Sequence, residues 1–186
     1  MKIWKLLPDT VNYSSLVMKP TISIDLIKSF DGRTQQATWN PILLDYSIDN
    51  EFFELSDYPS FSLPVCSKSA VTIFSEEIKG CLEFLPVITC FKSNCQFFIM
   101  NVINVVSAID YSKSQYKCFK DGKRIIAFQK YAFLEDVVND QIIFKTVDEK
   151  RSTPFVTQAF IDIVVENNLK GFMFKLVWDS EYAHLQ

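Results

Sequence analysis

SKSAVTIFSEEIKG, residues 67–80, runs into CLEFLPVITC (81–90) and then, five residues later, into QFFIMNVI (96–103). In the first stretch Ala70, Ile73, Phe74 and Ile78 recur three and four residues apart, so they share one face of a helix over 67–79. Ser67 or Ser69 is placed to cap its start, and Gly80 to close its end. The next two stretches are dense in aromatic and β-branched residues and read as strands over 82–90 and 96–103. Two consecutive strands with no helix between them point away from a doubly wound parallel sheet.

The flanking sequence extends the same pattern. Ile3-Trp4-Lys5-Leu6-Leu7 is an opening strand that stops at Pro8-Asp9. Asp31-Gly32 and Asp121-Gly122 mark tight turns, the second joining strands as a hairpin. KRIIAFQKYAF (123–133) is a long strand and 141–146 another, whereas 105–110 and 134–138 are short helical turns at best. Thr157 caps a second helix over 157–167, with Phe160, Ile161, Val164 and Val165 as its apolar stripe and Asn167 and Asn168 at its end. GFMFKLVW (171–178) is apolar on both faces and is therefore placed centrally in a sheet. There is no internal repeat and no linker. The expected fold is α+β, a mainly antiparallel β-sheet with two main helices (67–79 and 157–167), as one domain over 1–186.

Composition narrows the function. The 186 residues are 48 % hydrophobic and 22 % charged, enough apolar surface to offset the entropy of ordering. Seventeen Phe, seven Tyr and three Trp predict a thick core. With only four Gly, a glycine-rich phosphate loop is excluded. The net charge of −3 gives no general attraction to nucleic acid or anionic lipid. No apolar run approaches the ~18 residues of a membrane span, and the N-terminal residues lack the h-region of a secretory signal. A cytoplasmic protein is expected. The five cysteines, Cys66, Cys81, Cys90, Cys95 and Cys118, are an odd number without that signal and are expected to be reduced. Cys90-x4-Cys95 is a poor zinc half-site, since no second pair accompanies it and the single histidine is His184. No metal or other cofactor is expected.

The same scarcity argues against catalysis. A nucleophile–histidine arrangement would have to use His184, the third residue from the end, where a base is poorly preorganised. Glu76-Glu77, Glu135-Asp136 and Asp148-Glu149 are paired carboxylates, the groups a small acid–base enzyme uses, but a solvated helix face or turn explains each. One segment departs from the rest. Between Arg33 and Lys68 there is no Lys or Arg, while Asp45, Asp49, Glu51, Glu54 and Asp57 give it −5, leaving +2 for the remaining chain. Tyr46, Phe52, Phe53 and Tyr58 are interleaved with these acids. One reading is a partner-binding patch, with charge steering a basic partner and rings anchoring it. The other, slightly favoured by how often loop aromatics are half-buried, is a polar loop whose rings pack into the core. On the first reading Asp45, Asp49, Glu51, Phe52, Phe53, Glu54 and Asp57 are the contact residues.

A resemblance runs through the chain in order. It includes Trp4-Lys5-Leu6-Leu7-Pro8-Asp9, Phe30-Asp31-Gly32-Arg33, Trp39-Asn40-Pro41, Pro59-Ser60-Phe61 and Glu83-Phe84-Leu85-Pro86. It is densest in Val105-Val106-Ser107-Ala108-Ile109-Asp110, Ser112-Lys113-Ser114, Phe155-Val156-Thr157, Gly171-Phe172 and Leu176-Val177-Trp178. In this set the sequence resembles a family of bacterial immunity proteins encoded beside polymorphic toxins. The resemblance implies a cytoplasmic protein that binds its cognate toxin and blocks it, and it brings no catalytic residues. The alternatives are a small enzyme with a carboxylate-based site and an interaction module with no toxin partner.

Overall fold

The computed structural model describes residues 1–18, 24–47, 54–60, 63–89, 96–120 and 124–181. In chain order the strands are β1 (Lys2–Pro8), β2 (Ser14–Met18), β3 (Leu43–Tyr46), β4 (Leu55–Ser60), β5 (Val65–Ser67), β6 (Leu82–Pro86), β7 (Ile88–Thr89), β8 (Phe97–Val102), β9 (Val105–Val106), β10 (Gln115–Cys118), β11 (Ile125–Lys130), β12 (Ile143–Thr146), β13 (Phe155–Val156) and β14 (Phe172–Asp179). The helices are α1 (Ile24–Ser29), α2 (Lys68–Glu77), α3 (Glu135–Val138) and α4 (Gln158–Glu166). Among the described residues the strands form four sheets, ordered β14-β1-β13-β12-β9, β4-β2-β3-β7, β5-β8-β6 and β10-β11. Pairing is mostly antiparallel, with β12·β9, β2·β4 and β3·β7 parallel. The chain is α+β, and α2 and α4 are its longest helices. No helix among the described residues is long and apolar enough to cross a membrane.

Strand alternation makes the five-stranded sheet a wall between two cores. Ile3, Phe144, Phe155 and Trp178 face one core, with Ile109 and Phe133. Their neighbours Leu6, Ile143 and Val156, with Trp4, Phe172 and Phe174, face the other. Into this second core α2 and α4 insert Ala70, Phe74, Ile78, Phe160 and Val164, with Phe74 and Phe160 in ring contact at 5.1 Å. The three-stranded sheet is a second wall: Met100 and Val102 join the helices' core, while Ile99 and Phe97 join a third with Leu16, Leu44 and Phe30.

Ser67 caps α2, its Oγ accepting from Ala70 N at 3.2 Å, and Gly80 takes φ 76° just beyond the helix. Other expectations are corrected. Among the described residues the last strand is an edge, pairing through β1 alone. Its apolarity on both faces has a local cause: Ile3 pairs with Trp178 but Trp4 pairs with Leu176, so Val177 is an extra residue. That bulge reverses the alternation. Phe172 and Phe174 therefore serve the helices' core, while Trp178 serves the opposite one. Residues 105–110 are not a helical turn. Val105 and Val106 pair with Lys145 and Thr146, and Ile109 bridges to Phe133. The strand expected over 82–90 divides at Val87, β6 and β7 belonging to different sheets. Thr157 does not cap α4 through its side chain, because its Oγ1 donates to Gln141 O at 2.7 Å. The buried stripe of α4 is Phe160 and Val164 with Ile163 packed beside them, while Val165 is 65 % exposed.

Candidate partner-binding surface

The acidic segment is divided by the fold. Asp45 lies on β3, half-buried, opposite Val17 of β2. Glu54 is exposed just before β4. Asp49, Glu51, Phe52 and Phe53 lie outside the described residues. Asp57, on β4, is turned to internal work. Its Oδ1 accepts from Ser67 Oγ at 2.5 Å and its Oδ2 from Lys170 N at 2.9 Å. It thus ties the capping residue of α2 to the turn that precedes β14. Tyr58 is 3 % exposed and stacks on Phe172 with ring centroids 4.9 Å apart. For Tyr58 the packing reading holds.

A second surface is built on β10 and β11. Asp110 starts it. Its Oδ1 accepts from Ser112 N (3.0 Å) and Ser112 Oγ (2.5 Å), a turn that also holds the carboxyl below the usual carboxylate range. Ser114 Oγ closes the base of the ribbon by accepting from Ala132 N at 2.9 Å. The strands pair antiparallel, Tyr116 opposite Phe128 and Lys117 opposite Ala127. At the far end Phe119 N donates to Arg124 O at 2.8 Å, and the Arg124 guanidinium lies 4.7 Å from the centre of the Phe119 ring. The expected hairpin across Asp121-Gly122 is thus seen in the pairing on either side of it.

Rings run along this ribbon like a ladder. Tyr111 meets Tyr116 edge-on at 6.0 Å, Tyr116 meets Phe128 at 5.8 Å, Phe128 stacks on Tyr131 at 5.0 Å, and Tyr131 on Phe133 at 5.9 Å. Phe133 is in the core, so the ladder anchors the ribbon to the body. Its outer rungs face solvent, Tyr111 at 46 % and Tyr116 at 38 % exposure, and further along the ribbon Phe119 (45 %) and Ile126 (55 %) are exposed as well. Partial desolvation, with the hydrogen bond from Tyr111 to Asp148 Oδ2 (2.8 Å), pushes that hydroxyl up to about 12, so it stays a donor at neutral pH. Neither outer edge of the ribbon pairs with a further strand among the described residues.

The sequence over 111–131 carries Lys113, Lys117, Lys120, Lys123, Arg124 and Lys130 against Asp121 alone, a local +5. Reading the sequence for its one acidic segment averaged this cluster into the remaining chain. A window of about twenty residues passed along the sequence exposes it. The ribbon therefore offers aromatic anchors in a stretch of sequence rich in cations, which suits a hot spot with a steering rim.

A model described as the immunity protein family (Imm11) matches residues 46–179. The match runs from the end of β3 through β14 and contains both long helices and the whole ribbon. No curated protein matches the chain.

Proposed function

Because the chain belongs to the Imm11 immunity protein family, we propose that it binds a cognate toxin in the cytoplasm and neutralises it by covering a surface the toxin needs. The chain acts by occupancy, with no chemistry of its own, and a preformed face is what occupancy requires. The observation that carries the reading is the β10–β11 ribbon, where Tyr111, Tyr116 and Phe119 stand in solvent beside Lys113, Lys117 and Arg124. Tyr and Phe have two side-chain torsions each and lose little freedom on binding. The cations accelerate encounter with an acidic face, and the rings slow departure.

The test is co-expression with the toxin encoded beside it. Surviving cells and a co-purifying complex are expected, whereas unprotected cells without a complex overturn the proposal. Tyr116→Ala with Phe119→Ala then locates the contact. A loss of about 2 kcal/mol or more in toxin affinity, with the fold intact by circular dichroism, is expected of a hot spot.

A second reading places the contact on the acidic segment, through Asp45, Asp49, Glu51, Phe52, Phe53 and Glu54. The −5 carried by that segment favours it, although Asp57 is engaged within the chain. The two faces call for partners of opposite charge. If Phe52→Ala with Phe53→Ala weakens binding by less than ~1 kcal/mol while the fold survives, that segment is not the hot spot.

A further inference from the structure

A cleft of about 320 Å³ lies on the other side of the chain's chemistry, between β1, the segment around Ile27 and Phe30, and residues 151–154. Among the described residues its lining includes two cations, Lys145 and Arg151, together with the hydroxyl residues Ser152 and Thr153 and no acid. Its volume lies at the lower end of the range of small-molecule sites.

The cation at its floor is unusual. Lys145, on β12, is 4 % exposed, and the hydrogen-bond partner of its Nζ among the described residues is one backbone carbonyl, Phe30 O, at 2.9 Å. An ammonium carries three donors, and a buried charge served by one neutral acceptor is poorly compensated. Asp31, the carboxylate whose charge acts on it, has both oxygens engaged by Arg33, at 2.9 Å each. Burial accordingly lowers the Lys145 pKa to about 8. Lys5 touches the cleft but turns its charge away from it: its Nζ donates to Tyr131 Oη at 2.6 Å and Glu149 Oε1 at 3.2 Å and lies over the rings of Tyr131 and Phe155. The second cation is held in place. Arg151 Nε donates to Lys28 O at 2.9 Å, which fixes its guanidinium at the rim. Apolar walls from Leu6, Phe30 and Leu63 reduce the local dielectric and strengthen any charge pairing inside.

We propose that this cleft is a binding site for a small oxyanion of the phosphate type, with Lys145 as its buried cation and Arg151 at its mouth. Donors supplied from β12 and the 151–153 turn suit a group with several acceptor oxygens better than the two of a carboxylate. The site is independent of toxin binding and stands or falls separately from it.

The experiment titrates inorganic phosphate into the full chain at matched ionic strength, following binding calorimetrically and the melting temperature in parallel. Saturable binding below about 10 mM and a rise in melting temperature are expected. Arg151→Ala, at the solvent rim, and Lys145→Met should each weaken binding by about tenfold or more. Adenosine monophosphate forms a second arm. Tighter binding than inorganic phosphate identifies a nucleotide as the source of the group, and equal or weaker binding identifies the free ion. No saturable binding of either probe, or affinity unchanged in Arg151→Ala, overturns the proposal even if Lys145→Met does not fold.

Discussion

Asn101 donates through Nδ2 to Glu83 Oε2 at 2.9 Å, directly across the β6–β8 pairing, with Asn101 1 % and Glu83 8 % exposed. The same Nδ2 donates to Arg33 O, and the same carboxylate accepts from Gln35 N and Gln36 N, all at 2.9 Å. A polar pair inside one sheet thus grips residues 33–36, which have no strand of their own to hold them. The buried carboxylate needs donors, and this loop supplies two of them.

Asn101→Ala therefore removes one donor from a buried charge and one anchor from the loop. A loss of about 2 kcal/mol in urea unfolding is expected, with the amides of Gln35 and Gln36 exchanging faster in deuterium. Unchanged exchange at those two amides would show that the loop is held by something else.

Asp57 divides stability from recognition. Asp57→Ala frees the Ser67 hydroxyl and the Lys170 amide, so a loss of about 1–2 kcal/mol is expected from the weakened cap of α2 and turn. Toxin affinity should stay within about 0.5 kcal/mol of the parent protein. A large drop in affinity with unchanged stability would return Asp57 to the contact set.

Lys145 makes a pH prediction. Its folded pKa of about 8 lies below the ordinary 10.5. Between those values the unfolded chain holds a proton that the folded chain has released, so this group's contribution to stability rises with pH. The unfolding free energy of the parent minus that of Lys145→Met should grow by about 2 kcal/mol from pH 7 to pH 10. The subtraction matters because Cys66, whose thiol burial holds well above its usual range, opposes the trend in both proteins. A flat difference would mean that the ammonium is not buried in solution.

Gly171 has φ 82°, and a Cβ there would overlap Ser56 Oγ. Gly171→Ala should lower stability by more than about 1 kcal/mol. Adding Ser56→Gly should restore the part due to the clash and leave the part due to φ, which a double-mutant cycle separates.

What the sequence disclosed followed the range of the forces involved. The helices α2 and α4 and the cap at Ser67 are local, set by spacing and by one side chain, and were legible. Residues 105–106 became a strand because Lys145 and Thr146 lie beside them, a partner forty residues away that no local pattern announces. The doubled apolarity of β14 was read as burial on both faces, because periodicity assumes an unbroken alternation and Val177 breaks it. At the candidate surface, the 123–133 strand and its turn were visible, but the outward aspect of Tyr116 and Phe119 was not. Conversely, Asp57 and Tyr58 look like exposed recognition residues until Lys170 and Phe172 arrive from more than a hundred residues further on.

The position of β1 has a consequence in time. Its partners are Phe155–Val156 on one side and Phe172–Asp179 on the other. During synthesis residues 2–8 cannot take these partners until residues 155–179 have been made, and the wall between the two cores cannot close before then. Such distant pairing makes for slow folding, on the millisecond-to-second scale of non-local β topologies. On the proposed function, only chains that have closed this wall would be competent to bind a toxin.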